Sequence, residues 1–348
     1  MGSVKGLDTI EKAKGRVMGK GFFVFSDDFS VFDFGKMPDI IPYKGASLAM
    51  MSAAMFETVK EAGVKTHYKG LFGNGGGVKF TKNLTRPSNE MFIDLVRVIP
   101  PSFDGGNYDY HVYSDGLAVN FLIPLEIIYR NFLPKGSSVF KRLQQGTLTI
   151  KDLGLVGYPK QGQKLKKPYF DVSTKLEKTD RYITWAEAQQ ISGLSDENIV
   201  NVKDVLQKCN NVITDVAATA GLRNEDGKIE LAIDQDGNII VVDVIGTPDE
   251  CRFSFEGVPL SKEILRDYYR QTTWYTQVQS AKERAENEKI EDWKQYCPSP
   301  PPLPKELIKV VSDVYTSMSN SFVGKSIFDA PSIEQASQAY TSWKNKIA

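Results

Sequence analysis

Residues 221–253 read GLRNEDGKIELAIDQDGNIIVVDVIGTPDECRF, and the predicted fold depends on this stretch. Two apolar runs flank the segment DQDGN, a pattern that predicts a β-hairpin. Asp226, Lys228 and Glu230 alternate along the first arm, so they share one face of a strand, and Asp243 lies in the second arm. Such a hairpin can bind a metal ion and nucleotide phosphates. Taken alone, however, the stretch favours an ordinary surface hairpin with one solvated, charged face.

The composition limits the class of protein. The chain has 348 residues, 41% of them hydrophobic and 25% charged, which is typical of a globular protein large enough for two lobes. Its 43 basic and 43 acidic residues give no overall attraction to nucleic acid or an anionic membrane. No apolar run approaches the roughly 20 residues of a membrane span. We therefore expect neither nucleic acid nor a membrane among its partners.

The cysteine and histidine content limits the kinds of metal site, disulfide and catalytic site that this chain can form. The three cysteines are odd in number and far apart, so they predict neither a disulfide framework nor a zinc site. With no secretory leader at the N-terminus, this favours the cytoplasm. The two histidines, His67 and His111, leave little room for a histidine-based metal cluster or catalytic triad.

Two further segments suggest anion binding. Residues 10–34 predict a β-hairpin that turns at Gly19–Gly21, with Lys12 and Lys14 on its first arm, where they could contact phosphates. The apolar run 121–131 predicts a buried strand, followed by a short helix that begins near Ser137. That serine could help to bind an anion or simply cap the helix, and the sequence leaves both open. Elsewhere, helical periodicity covers residues 46–62 and 195–221, whereas residues 144–172 read as loop.

Six short blocks of this sequence, taken together and in order, resemble the SAICAR synthetase (phosphoribosylaminoimidazole-succinocarboxamide synthase) family. Each block is weak alone, and their common order and spacing carry the resemblance. The blocks are Asp28–Asp33 (DFSVFD) with Ile41–Gly45 (IPYKG), Ile123–Glu126 (IPLE) with Arg130 and Gly136–Ser137, Ser173–Glu177 (STKLE), Gly221–Glu230 (GLRNEDGKIE), Asp243–Arg252 (DVIGTPDECR), and Ser261–Asp267 (SKEILRD).

The resemblance implies a fold and a reaction. The expected fold is α+β or α/β and two-lobed, with antiparallel sheets flanked by helices and ATP bound between the lobes. The expected reaction joins carboxyaminoimidazole ribotide to aspartate through an acyl phosphate in purine biosynthesis, with ATP and Mg²⁺ as cofactors. We divide the chain into a β-rich lobe (1–120), a nucleotide- and substrate-binding lobe (121–272), and a helical extension after a proline-rich linker (273–348).

The resemblance and the chemistry of the reaction together assign three groups of site residues. The expected catalytic residues are Lys228, Asp226 and Asp33. The expected ATP-binding residues are Lys12, Lys14, Lys175, Glu230 and Asp243, of which Glu230 and Asp243 would also hold the metal. The expected substrate-binding residues are Asp28, Ser30, Lys44, Arg130, Ser137, Asp249, Arg252 and Lys262.

Some positions depart from the family pattern. Val244 stands where the family has a glutamate, and Glu250 and Cys251 stand where it has small serines. A glutamate there would repel a substrate phosphate. Two alternatives therefore stay open: a divergent member that joins a different acid and amine, or a non-catalytic nucleotide-binding interaction protein. Retention of Lys228 and Glu230 counts against the latter. The sequence leaves open whether the chain forms a homo-oligomer.

Overall fold

The computed structural model describes residues 4–73, 75–114, 119–290 and 292–347. The strands are β1 Lys5–Glu11, β2 Gly19–Phe25, β3 Tyr68–Phe72, β4 Val78–Lys79, β5 Glu90–Leu95, β6 Ser102–Phe103, β7 Tyr108–Asp109, β8 Phe121–Leu133, β9 Gln163–Thr174, β10 Arg223–Ile233, β11 Ile239–Val242, β12 Cys251–Phe255 and β13 Val258–Pro259. The helices are α1 Lys44–Glu61, α2 His111–Ser114, α3 Ser138–Gln145, α4 Trp185–Ser192, α5 Asp196–Thr219, α6 Glu263–Arg270, α7 Thr273–Glu288, α8 Lys305–Val323 and α9 Ile333–Ile347.

The N-terminal sheet is antiparallel and runs in the order β1-β2-β5-β3-β4. Its strands are rich in aromatic and branched residues, which suit a half-buried pleated surface. Helix α1 packs on this sheet and buries Met50, Met51 and Met55 completely. These flexible side chains fill the core beneath the sheet.

The central sheet holds the strands of residues 221–253. It runs in the order β13-β12-β10-β8-β9, with β11 paired to β10, and its pairings are antiparallel. Strand β8 is buried along most of its length, as expected of an inner strand covered on both faces. Helix α5 covers one face through Val202, Leu206 and Ile213, all fully buried. The predicted hairpin, β10–β11, is therefore part of the molecule's core.

The two sheets meet edge to edge. Thr66, just before β3, pairs in parallel with Val241 of β11, and Arg97, just after β5, pairs with Phe121 of β8. Both sheets and the helices that cover them share one large cluster of buried apolar side chains. The structure thus has the two-lobed arrangement of antiparallel sheets and flanking helices that the sequence predicted.

The C-terminal helices dock on this core. Helix α8 packs against α1 and buries Leu307, Val311 and Val314 completely. The proline-rich segment before it also lies against the core, since the Leu303 N–H donates to Asp39 and the Tyr269 hydroxyl donates to the Pro301 carbonyl. No helix in the described ranges has both the length and the apolar character of a membrane span.

Two predictions about local structure were wrong. Gly19 and Gly21 belong to β2 and not to a turn, and Lys12 and Lys14 lie in the connection between β1 and β2 rather than on a strand. A Cβ at Gly19 would approach the Glu11 carbonyl oxygen to 2.2 Å, so glycine is required there by close strand approach. Residues 163–172 of the predicted loop 144–172 belong to β9. The lysines and the proline of this strand are uncommon in strands, so the sequence pattern did not indicate it.

Candidate active site

A cleft of about 890 Å³ lies between the two sheets. Charged side chains from both sheets line it, and lysines alternate with carboxylates along its walls. The lysines are Lys5, Lys12, Lys175, Lys228 and Lys262, and the carboxylates include Glu230, Asp243, Asp249 and Glu250.

Strand β10 sets out the site along one face. Asp226, Lys228 and Glu230 alternate on this strand, which places successive members about 7 Å apart. Across β8, Asp226 lies opposite Arg130 and Glu230 lies opposite Glu126. The face therefore has an arginine end at Asp226, a middle at Lys228, and a carboxylate end at Glu230.

Glu230 and Asp243 come together at the carboxylate end, as the sequence predicted. Lys175 Nζ lies 2.6 Å from Glu230 Oε1, and Lys5 Nζ lies 2.8 Å from Asp243 Oδ1. Burial and then the negative charge of Asp243 raise the pKa of Glu230. Burial also opposes the charge of Asp243, but Lys5 outweighs it and lowers the pKa of that carboxyl. Two acidic groups held this close provide a site for a cation.

The backbone of Asp243 is held in an unusual conformation. Its φ is 64°, in the left-handed region that few residues other than glycine adopt. His67 Nε2 lies 3.3 Å from the Asp243 carbonyl oxygen, and burial lowers the pKa of His67 to about 4. The ring is therefore neutral and can donate one hydrogen bond to that carbonyl. The sequence analysis missed both His67 and Lys5, because they are close to Asp243 only in space.

The middle of the face is a chain of ion pairs. Lys228 Nζ lies 2.6 Å from Glu126 Oε1 and 3.4 Å from Glu250 Oε2. Glu126 also accepts a hydrogen bond of 3.0 Å from Lys175. Burial opposes ionisation of Glu126, but Lys228 and Lys175 more than compensate and lower its pKa. Glu126 was part of a recognised sequence block but had not been assigned a role.

Asp249 lies at the buried side of the cleft, beside two lysines that the sequence also assigns to substrate binding. Lys44, fully buried, places its Nζ 2.8 Å from Asp249 Oδ2, and Lys262 Nζ lies 3.9 Å from the same oxygen. The Tyr315 hydroxyl of α8 donates to Asp249 Oδ1 at 2.6 Å. Burial disfavours the charged carboxylate, but Lys44 and then Lys262 outweigh it and hold the Asp249 pKa far below its usual range. No sequence block covers Tyr315.

The arginine end is a buried network. Arg252 donates to both oxygens of Asp226, at 2.7 and 2.5 Å. Arg130, only 2% exposed, donates to Asp226 and to Asp171, at 3.4 and 3.1 Å. It also donates to Ser137 Oγ at 3.4 Å. Ser137 caps α3 by accepting from the Val139 N–H, so it both caps the helix and contacts the arginine.

The remaining predicted residues lie at the edge of this arrangement or away from it. Lys12 and Ser30 line the cleft, whereas Lys14 is not among the residues that line it and pairs through its backbone with Val17. Asp28 pairs with Lys36. The Asp33 side chain is 86% exposed and pairs with Lys282. The predicted catalytic role of Asp33 stays a prediction.

The fold and the cleft define a class of protein. Paired carboxylates beside several lysines provide what the transfer of a phosphoryl group from a nucleotide needs, and the buried arginines add a second site for an anion. A sequence model of SAICAR synthetase matches residues 14–283. The chain belongs to the SAICAR synthetase family, whose members are ligases that form C–N bonds and release ADP, as the sequence predicted.

Curated relatives agree with this assignment. A putative phosphoribosylaminoimidazole-succinocarboxamide synthase of Archaeoglobus fulgidus is 46% identical over 335 residues, which cover 96% of this chain and 97% of the relative. The phosphoribosylaminoimidazole-succinocarboxamide synthase of Thermoplasma acidophilum is 32% identical over 310 residues, 87% of this chain and 92% of the relative. The first alignment extends well beyond residue 283, so that relative shares much of the C-terminal extension.

Solved structures agree on the fold. The SAICAR synthase of Saccharomyces cerevisiae complexed with SAICAR has a TM-score of 0.60 at 21% identity, over 91% of this chain and 95% of that chain. A SAICAR synthetase (Type-2) in complex with ADP has a TM-score of 0.55 at 22% identity, over 82% and 97%. The predicted family and fold class are confirmed.

Proposed function

We propose that this protein joins carboxyaminoimidazole ribotide to aspartate in purine biosynthesis, with conversion of ATP to ADP and phosphate. One observation carries the proposal: the single face of β10 presents an arginine end, a middle lysine and a carboxylate end in a row. A reaction that activates the carboxylate of a phosphorylated substrate with ATP needs these three parts in this order. One end binds the substrate phosphate, the other binds the nucleotide, and the reacting groups meet between them.

The arginine end suits the phosphate of the ribotide. Arg130, Arg142 and Arg252 surround two carboxylates, Asp171 and Asp226, so the network keeps one positive charge. The buried Arg142 Nε makes no hydrogen bond within the described ranges. A buried donor without a partner costs about 1–3 kcal/mol, and a phosphate oxygen could satisfy it. Arginine forks also match the geometry of phosphate oxygens.

Glu230 and Asp243 fit a Mg²⁺ ion at the carboxylate end. Magnesium in nucleotide sites is held by one or two carboxylates together with the substrate phosphates. No cluster of three or more potential metal-binding side chains occurs in the described part of the chain, which fits an ion completed by phosphate oxygens. Burial and the charge of Asp243 raise the pKa of Glu230, which indicates two carboxylates repelling each other. When bound, the ion would neutralise charge on the nucleotide phosphates.

The chain's own residues account for the rest of the chemistry. Lys5 and Lys175 neutralise the metal-binding carboxylates in the free protein and can turn to the nucleotide phosphates when these bind. Lys228, between the two ends, can hold the substrate carboxylate against the terminal phosphate through charge attraction. Tight pairing with Glu126 keeps this lysine charged and in place, because Glu250, Glu126 and Glu230 overcome its burial and raise its pKa.

The test is a reconstituted reaction. Purified protein receives ATP, Mg²⁺, aspartate and carboxyaminoimidazole ribotide, and ADP and the succinocarboxamide product are measured by chromatography with mass detection. We expect both products only when the mixture is complete. ADP release that is independent of aspartate and ribotide would contradict the proposal, as would the absence of Mg-ATP binding in calorimetry.

The same proposal places the protein in the cytoplasm and gives it small-molecule partners. Its three cysteines are free thiols, which suits a reducing compartment. Whether the chain forms a homo-oligomer is tested by light scattering of the purified protein.

A further inference from the structure

Glu250 lies beside the middle of the β10 face. The Lys228 N–H donates to the Glu250 carbonyl oxygen at 3.2 Å, which fixes Glu250, the residue just before β12, beside Lys228 of β10. The Glu250 side chain lines the cleft and is partly exposed to it. It therefore faces the space between the arginine end and the carboxylate end, where the reacting groups must meet.

The other carboxylates of the cleft are already tightly paired. Glu126 has Lys228 at 2.6 Å and Lys175 at 3.0 Å, and Glu230 has Lys175 at 2.6 Å. Asp243 has Lys5 at 2.8 Å, and Asp249 has both Lys44 at 2.8 Å and a tyrosine hydroxyl.

Glu250 has a looser contact. Its carboxylate lies 3.4 Å from Lys228, a lysine that is held more closely by Glu126. Because Lys228 can stay with Glu126, Glu250 can bind another cation without leaving this half-buried lysine unpaired. A further negative charge in a cleft for polyanionic substrates weakens their binding. A functional role for Glu250 would explain why this cost is tolerated.

We propose that Glu250 binds the ammonium group of the amino-acid substrate and accepts a proton from it. This inference rests on the proposed ligase function and adds the residue that prepares the amine. An amino acid enters as an ammonium ion, which has no free electron pair for attack. A carboxylate at the middle of the face attracts that ion to the acyl phosphate and takes up one of its protons.

Protons, bonds and electron pairs are all accounted for in this step. Glu250 takes one proton from the ammonium nitrogen, which leaves a neutral amine. The nitrogen then forms a C–N bond with the acyl carbon, the bond from that carbon to the phosphate oxygen breaks, and phosphate leaves with the electron pair. The second proton leaves the nitrogen with the departing phosphate as the amide forms, and Glu250 returns its proton to solvent.

Hydroxylamine separates this role from activation of the carboxylate. It is uncharged near neutral pH and attacks acyl phosphates without a base, giving a hydroxamate that ferric ion colours. The assay compares wild type with Glu250→Gln, each with ATP, Mg²⁺ and ribotide, and with either aspartate or hydroxylamine. We expect Glu250→Gln to lower the rate with aspartate by about 10²- to 10⁴-fold and to leave hydroxamate formation at the wild-type level.

Two further variants complete the experiment. Glu256→Gln removes the same charge from an exposed residue six positions along the chain and should change neither rate. Glu250→Ser repeats the test if the glutamine variant fails to fold. Wild-type aspartate ligation in Glu250→Gln, or equal loss of both reactions, would overturn the inference. If wild type forms neither product, the proposed function itself fails, and this result is distinct from the other two.

Discussion

Replacement of Tyr315 by Phe removes one hydroxyl from the buried side of the cleft and leaves the ring in place. That hydroxyl donates to Asp249 Oδ1 at 2.6 Å, while Lys44 holds Oδ2 at 2.8 Å. In the variant, Asp249 Oδ1 loses its hydrogen-bond donor. The carboxylate can then rotate about the ion pair between its Oδ2 and Lys44. Tyr315 thus holds the Asp249 carboxylate in position, and it would act on the substrate only through that residue.

The size of the effect follows from the contact. A hydrogen bond to a charged group contributes about 1.5–3 kcal/mol, so we expect Tyr315→Phe to lose about that much stability in denaturant titrations. If Asp249 binds ribotide, as the sequence predicted, the KM for ribotide should rise about tenfold, since a tenfold change corresponds to about 1.4 kcal/mol. The KM for ATP should stay the same, because Asp249 pairs with Lys44 and Lys262 and shares no lysine with Glu230 or Asp243 among the ion pairs of the described residues.

The pH dependence of stability gives an independent readout. The pKa of Asp249 is depressed in the folded protein, so this group stabilises the fold above its unfolded pKa, and the contribution is lost as pH falls. Loss of the Tyr315 hydroxyl makes the depression smaller. Acid unfolding of Tyr315→Phe, followed by circular dichroism, should therefore begin at a higher pH than that of wild type.

Tyr340 of α9 offers the matched control. It is buried, and within the described ranges its hydroxyl has no hydrogen-bonding partner. Tyr340→Phe should change neither the ribotide KM nor the acid transition. The reasoning would be refuted if Tyr315→Phe kept the wild-type KM for ribotide and also matched Tyr340→Phe in stability and in acid transition.

Three other substitutions test separate parts of the structure. Glu230→Gln should abolish ADP formation while the circular dichroism spectrum stays that of wild type, because it removes one of the two carboxylates proposed to hold the metal; near-normal activity would remove Glu230 from the proposed metal site. Arg252→Lys loses the fork that binds both oxygens of Asp226, so the ribotide KM should rise by about tenfold or more, and an unchanged value would place the substrate phosphate elsewhere. Ser195→Ala removes the cap that accepts from the Asn198 N–H of α5 and should cost about 1 kcal/mol of unfolding free energy at constant kcat, both measured on the purified variant; a fall in kcat would contradict a purely structural role.

Local patterns in the sequence were sufficient for much of the fold. The alternation of Asp226, Lys228 and Glu230 correctly placed these residues on one strand face, since side-chain direction in a strand depends only on position along the chain. Helix α5 followed from its apolar period over residues 195–221. The strand glycines Gly19 and Gly21 were misread, because a glycine in a turn and one under a close strand look alike in sequence.

The family blocks identified several members of the site without showing which residues touch. Lys44, Asp249 and Lys262 were each assigned to the substrate, and the structure shows them in one buried group. The sequence holds 43 basic and 43 acidic residues, and nothing local indicates which pairs form.

By itself, then, the sequence determined the family, the main strands and helices, and the charged face of β10, because these depend on residue order and spacing. Only the tertiary structure decided that Lys5 neutralises Asp243, that His67 holds the backbone of that residue, and that Tyr315 reaches Asp249 from the C-terminal extension. The physical reason is that these partners lie 66 to 238 positions apart along the chain. Such contacts arise from the packing of whole sheets and helices against one another, which no local period or motif encodes.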